Sequence, residues 1–113
     1  CTILFNNEPV RSCLMLAPQI YNGEITTIEG ISENSTYDDL REAFKKYHAL
    51  QCGYCTPGFI TTIVYLLEKK QFLKEEEIRE KLSGNICRCT GYTGIVKAVE
   101  EVFLNRFKKS KND

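Results

Sequence analysis

The chain has 113 residues, 15 basic and 15 acidic, so its formal net charge is zero and no basic surplus argues for nucleic acid or an anionic membrane surface. With 42% apolar residues it can bury one modest core, and no apolar run approaches the roughly 20 residues that a membrane span needs. Residue 1 is a cysteine rather than a methionine, and no secretory signal is visible, so the sequence reads as a fragment or a processed product.

Cys1 to Phe5 is a short run rich in β-formers, broken by turn chemistry at Asn6-Asn7-Glu8. Pro9 allows only a sheet edge or the start of a strand before Val10 to Cys13. Cys13 to Ala17 is an apolar run expected to be buried, and it stops at Pro18. Asn22-Gly23 signals a hairpin between Gln19–Tyr21 and Glu24–Ile31, whose Ile25, Thr27 and Glu29 alternate with Thr26, Ile28 and Gly30. These strands are too few to close a core, and such a sheet fragment belongs to something larger.

The composition changes near Ser32. Ser35 or Thr36 is expected to cap a helix with Asp38 and Asp39 in its first turn, and Tyr37, Leu40, Phe44 and Tyr47 on one face. Lys45 and Lys46 near its end suit the helix dipole. His48, the single histidine, reads as a surface residue at that helix end. Next comes QCGYCTPG at Gln51–Gly58. Thr56 is a natural N-cap and Pro57 a first helical residue. Phe59, Ile60, Ile63, Val64, Leu66 and Leu67 then predict a helix apolar around more than half its circumference, hence central. Lys74 to Leu82 predicts a short amphipathic helix anchored by Ile78 and Leu82, with a Glu77–Lys81 pair on its solvated face. Gly84 offers it a left-handed cap. NICRCTGY at Asn85–Tyr92 leads into a last helix marked by Ile95, Val96, Val99, Val102 and Phe103. A polar tail, KKSKND, ends the chain.

Four of the six cysteines thus form a C-x2-C pair (Cys52, Cys55) and a C-x-C pair (Cys87, Cys89), each placed just before a helix start. Unpaired N–H groups there favour an anionic or electron-rich ligand. Three chemistries remain open on spacing: a disulfide framework, a structural four-cysteine zinc site and a thiolate-ligated iron–sulfur cluster. The helical second half argues against the first, and the C-x-C pair fits zinc knuckles poorly. If all four thiols serve one centre, the two helices cannot be simply antiparallel, because their starts must meet.

With these residues in view, the chain resembles the second [2Fe–2S] domain of the molybdenum hydroxylases, the family of xanthine dehydrogenase, aldehyde oxidoreductase and aerobic carbon monoxide dehydrogenase. The resemblance rests on QCGYCTPG followed by CRCTGY, with 31 residues between Cys55 and Cys87. Bacterioferritin-associated ferredoxins carry the two pairs in the reverse order. The resemblance implies an α+β chain: a C-terminal four-helix [2Fe–2S]-binding domain (residues 32–113), preceded by the last strands of a plant-type ferredoxin, or β-grasp, domain (residues 1–31). Cys52, Cys55, Cys87 and Cys89 would ligate a complete cluster. Cys1 and Cys13 look like the third and fourth ligands of a ferredoxin cluster whose first two ligands are not in this sequence, so one centre is expected here and two in the full-length chain.

The implied function is electron transfer within an oxidoreductase, relaying single electrons from a molybdopterin site toward flavin or another acceptor, with no substrate chemistry by this chain alone. The implied partners are a large molybdopterin-binding subunit and a medium FAD-binding subunit, with no nucleic acid and no membrane span, in the cytoplasm. Gln51 and Cys89 would face the molybdopterin. The plainer role for Gln51 is a cap or a loop hydrogen bond. Backbone N–H groups of Gly53, Gly58 and Gly91 are expected to reach the sulfurs. Two alternatives stand beside this reading: a zinc-binding interaction module, and a free-standing [2Fe–2S] ferredoxin or sensor.

Overall fold

The computed structural model describes residues 1–70 and 72–108; of the polar tail, Lys109 to Asp113 lie outside them. It is rich in helix, with one small three-stranded antiparallel sheet. Strand β1 (Thr2–Phe5) lies in the middle of the order β2-β1-β3, between β2 (Glu8–Arg11) and β3 (Ile25–Thr26). Asn6 and Asn7 both take positive φ (51° and 68°), which matches the two-residue turn whose twist suits a hairpin. Pro9 pairs with Leu4 on the edge strand, where a missing N–H costs least.

After β2 the expected strands give way to helix. Ser12–Leu14 and Ala17–Ile20 are single 3₁₀ turns, so no strand forms at Gln19–Tyr21, and β3 pairs with β1 instead. The long strand expected to Ile31 is only two residues. Ile28–Ser32 forms a helical turn, α1, with Glu29 in its first turn, and buries Ile31. Ile28 and Ile31 are three apart, so a helical turn brings both to one side, which a strand would not. The run Cys13–Ala17 is not buried: Leu14 and Leu16 are 81% and 71% exposed.

Asn34, not Ser35 or Thr36, supplies the cap at the next start, where its Oδ1 accepts from the Thr36 N–H. A 3₁₀ turn (Ser35–Tyr37) runs into α2 (Asp38–Lys46), which buries Leu40, Ala43 and Phe44. Helix α3 (Thr56–Glu68) is the central element, burying eight of its 13 residues. Its start differs from expectation by one position. Cys55 stands at the cap, and the Thr56 hydroxyl is buried without a hydrogen-bond partner among the described residues. Helix α4 (Glu75–Leu82) is held by Ile78 and Leu82. Glu77 accepts from the Lys74 N–H, and the i,i+4 ion pair is Glu75–Arg79 in place of Glu77–Lys81. Helix α5 (Thr93–Phe103) packs on α2 and α4 and continues into one π turn, Leu104–Lys108.

Phe44, Phe59 and Phe103 are fully buried, with Leu40, Ile63, Ile78, Ile95, Val99 and Val102 around them. Leu4 of β1 and Ile31 of α1 are buried in the same core, and β1 lies against α3. The sheet is therefore docked on the central helix, behind the start of which the cysteines lie.

Candidate metal centre

Helices α3 and α5 each begin just after a cysteine pair, and their two starts meet. The edge-to-face contact of Phe59, in the first turn of α3, with Tyr92, at the cap of α5, joins them (ring centroids 6.2 Å apart). The thiols follow. Cys89 Sγ stands 3.5 Å from Cys52 Sγ, and the Cys55 and Cys87 thiols share a hydrogen bond. All six cysteines are free thiols. Among the described residues, no three Cys, His, Asp or Glu side chains converge for a single ion. The four thiols instead stand two by two, each pair taking one cysteine from each motif.

Two left-handed positions shape the loops. Gly53 (φ 81°) turns the chain between Cys52 and Cys55, and Gly91 (φ 69°) with Tyr92 (φ 72°) turns it into α5. The donors that reach sulfur differ from those expected. They include the Tyr54 N–H to Cys52 (3.5 Å), the Thr90 N–H to Cys87 (3.4 Å) and the Thr90 hydroxyl to Cys87 (3.1 Å), with the Cys89 N–H also bonded to Cys87. Thr90 Oγ1 also accepts from the Tyr92 N–H, and the Tyr92 hydroxyl accepts from the Cys87 N–H at 2.9 Å. Thr90 and Tyr92 thus grip Cys87 from both ends of its residue. Sequence reasoning passed over Thr90. Its signal was its place directly after a ligand, at a loop where hydroxyls commonly satisfy backbone groups.

Each pair is electrostatically uneven. Burial pushes the Cys87 thiol up, but the Thr90 hydroxyl and N–H, with Cys55, bring it down to about 7. Burial and the shared proton with Cys87 push Cys55 up to about 11. At the exposed pair, the Tyr54 N–H lowers Cys52, and its bond to Cys52 raises Cys89. Within each pair the shifts favour the thiolate at one cysteine, Cys87 in the buried pair and Cys52 in the exposed one. A positive centre between the pairs would bring all four to the thiolate form.

The donor set fits a [2Fe–2S] centre, which takes four thiolates and accepts hydrogen bonds at sulfur. The unpartnered Thr56 hydroxyl, one residue past Cys55, is a further unspent donor. Cys1 and Cys13 do not complete such a set. They lie at the same end of the β1–β2 ladder, where the Cys1 carbonyl accepts from the Ser12 N–H, but they are two exposed thiols only.

The two cysteine loops are open to solvent and carry exposed apolar side chains beside the exposed Gln51 and Arg88. Tyr54 is 94% exposed, Ile86 is 83% exposed and Leu50 is also exposed, beside the exposed Gln51, Cys52 and Cys89. Gln51 has no hydrogen bond to a cysteine among the described residues. A cavity of about 410 Å³ opens next to Leu50 and Gly53, between Leu40, Phe44 and Ile60. His48 is exposed and left-handed (φ 51°) at the end of α2.

Residues 27–100 match the family model described as "[2Fe-2S] binding domain". Over 105 residues the chain is 47% identical to the caffeine dehydrogenase subunit gamma of Pseudomonas sp. (strain CBB1), covering 90% of this chain and 63% of that one. It is 52% identical over 99 residues to the nicotine 6-hydroxylase small subunit of Paenarthrobacter nicotinovorans, covering 88% and 59%. The crystal structure of quinoline 2-oxidoreductase from Pseudomonas putida 86 superimposes with a TM-score of 0.82 at 42% identity, covering 92% of this chain and 64% of that one. The chain therefore spans about three-fifths of the length of the relatives it matches.

Proposed function

The chain belongs to the [2Fe–2S] binding-domain family, and on that premise we propose that it is the electron-transfer iron–sulfur subunit of a molybdenum hydroxylase. The observation that carries this reading is the two-by-two meeting of Cys52 with Cys89 and Cys55 with Cys87. Four thiols from two helix starts stand two by two, the arrangement in which each iron of a two-iron centre would take one cysteine from each motif. The relatives whose names are subunits of a dehydrogenase or a hydroxylase support placing that centre in an oxidoreductase.

In this reading Cys52 and Cys89 would hold one iron, and Cys55 and Cys87 the other. When bound, a [2Fe–2S] centre takes up and gives back one electron at a time. The chain's own residues do the rest. Tyr54 N–H, Thr90 N–H and the Thr90 hydroxyl donate to thiolate sulfur and so stabilise added negative charge. Phe59 and Tyr92 exclude water from the inner side, where Cys87 is buried. Cys52 and Cys89 form the outer edge, and the exposed Tyr54, Ile86 and Leu50 around them form a collar that a partner chain would dry.

The partner is a large molybdopterin-binding subunit, with Gln51 and Cys89 turned toward its cofactor, and electrons continue toward an FAD-binding medium subunit in a cytoplasmic complex. Residues 32–113 act as the four-helix cluster domain, and residues 1–31 are the end of a β-grasp ferredoxin domain. Cys1 and Cys13 belong to that domain's own cluster. The test is single-turnover reduction in the purified complex. Substrate should reduce the centre more slowly in Gln51→Ala, with its visible spectrum unchanged. Reduction at the parental rate removes Gln51 from the path, and a chain that co-purifies with no molybdenum-bearing partner removes the proposal.

A further inference from the structure

We propose that Arg11 and Thr2, on the β hairpin, are positioning residues for the loop that delivers Cys87 and Cys89. The proposal rests on the [2Fe–2S] reading of that loop and concerns residues far from it in sequence. A guanidinium carries five N–H donors and no acceptor, so where it is half-buried its partners define its task. Arg11 Nη2 donates to the Gly84 carbonyl and Nη1 to Thr2 Oγ1, each at 2.5 Å. The Thr2 hydroxyl passes the chain on to Asn85 Oδ1 (3.3 Å), and Asn85 Nδ2 donates to Thr62 Oγ1 (3.0 Å). Thr62 Oγ1 in turn donates to the Gly58 carbonyl (3.1 Å). Each bond of the series pairs one donor with one acceptor, and no group is asked to serve as both at one bond.

The series runs behind the four-thiol site and holds both of its arms. Gly84 and Asn85 stand three and two residues before Cys87, and Gly58 stands three residues after Cys55. Two glycines make it possible by close approach. Neither has a positive φ, so Gly84 is not the left-handed cap its sequence promised. A Cβ on Gly84 would stand 2.5 Å from Arg11 Nη2, and one on Gly58 would stand 3.0 Å from Asn85 Oδ1 and 3.4 Å from Thr2 Oγ1. Between the end of α4 at Leu82 and the start of α5 at Thr93 there is no regular structure. The hairpin is therefore the outer support that fixes where this loop begins, much as groups behind a ligand orient it toward its metal.

The experiment uses the full chain in its purified complex, with Arg11→Met, Arg11→Lys and Thr2→Val. Two quantities are read on the centre at Cys52, Cys55, Cys87 and Cys89: the rate of iron loss to a ferrous chelator, and the midpoint potential. Arg11→Met should load iron but lose it about tenfold faster, with a displaced potential. Thr2→Val should move both in the same direction by less, and Arg11→Lys, which can still serve one of the two acceptors, should recover part of the change. A role in hairpin stability alone would lower melting and leave the potential of the loaded centre where it was. Parental release rates and potentials in both Arg11→Met and Thr2→Val would overturn the proposal. If Arg11→Met does not assemble, Thr2→Val, nearly the same shape as the parent, decides it. A parent complex with zinc and no iron at these cysteines would overturn the [2Fe–2S] reading and this proposal together, whereas an iron-loaded parent with insensitive variants overturns the proposal alone.

Discussion

Tyr92→Phe separates the two ways in which one side chain supports the metal site. The ring packs edge-to-face on Phe59, and its hydroxyl accepts the Cys87 N–H at 2.9 Å. Phenylalanine keeps the ring and removes only the acceptor. Cys87 is buried (8% exposed), so its N–H would be left without water or another partner. An orphaned buried donor costs about 1–3 kcal/mol, and a value of about 2 kcal/mol is reasonable for a neutral amide. For a chain of this size each kcal/mol lowers the melting temperature by roughly 4 °C, so the iron-loaded variant should melt about 8 °C below the parent. Tyr92→Ala, which also loses the ring, should fall further, by about 3–5 kcal/mol in all. The assay is thermal unfolding followed by visible absorption and far-UV circular dichroism at matched iron content. Tyr92→Phe melting within a degree of the parent, while Tyr92→Ala falls, would refute the reasoning: the hydroxyl would then not be what satisfies Cys87.

Three further outcomes follow from the structure. Cys87→Ser should lose iron and thermal stability together, because the loop around it has little core of its own; full iron loss with unchanged melting would count against that coupling. Ile78→Ala should cost about 2–5 kcal/mol in urea unfolding, since Ile78 is one of only two buried residues of α4 and is fully enclosed. The Asp39 carboxyl is held below the usual carboxylate range, chiefly by its hydrogen bond from Arg106, which grips it through Nε (2.8 Å) and Nη2 (2.6 Å). A depressed pKa means that the pair stabilises the fold above the unfolded carboxyl's value near ~3.9 and that this stability is lost as pH falls through the folded value. Asp39→Asn should therefore lower stability at neutral pH by about 0.2–1 kcal/mol and flatten the acid limb; an acid limb as steep as the parent's would place the loss on other groups.

What could be read in the sequence was what depends on near neighbours. The period of Phe59 to Leu67 and of Ile95 to Phe103 gave two helices, and the burial of both faces of α3 followed from its apolar breadth. The meeting of the two helix starts followed from requiring four thiols at one centre. The segment after Gly23 misled because a two-residue alternation is satisfied almost as well by one helical turn, and Ile28 and Ile31 find their cover only in that turn. The run at Leu14 and Leu16 shows that apolar character states a need for cover without saying what supplies it. Gly84 was legible as a helix stop, but its actual reason is a guanidinium 73 residues away in the chain. The partners of Thr90 and Tyr92 at Cys87 could not be named from the sequence for a related reason: those contacts exist only once the loop has closed.

The central claim is tested most directly by counting iron, acid-labile sulfide and zinc in the purified chain of residues 1–113, alongside a variant lacking Cys52 and Cys87. Two irons and two sulfides per chain are predicted, with no zinc, and both should vanish in the variant. One zinc per chain with no sulfide, or two irons that persist without Cys52 and Cys87, would contradict the account.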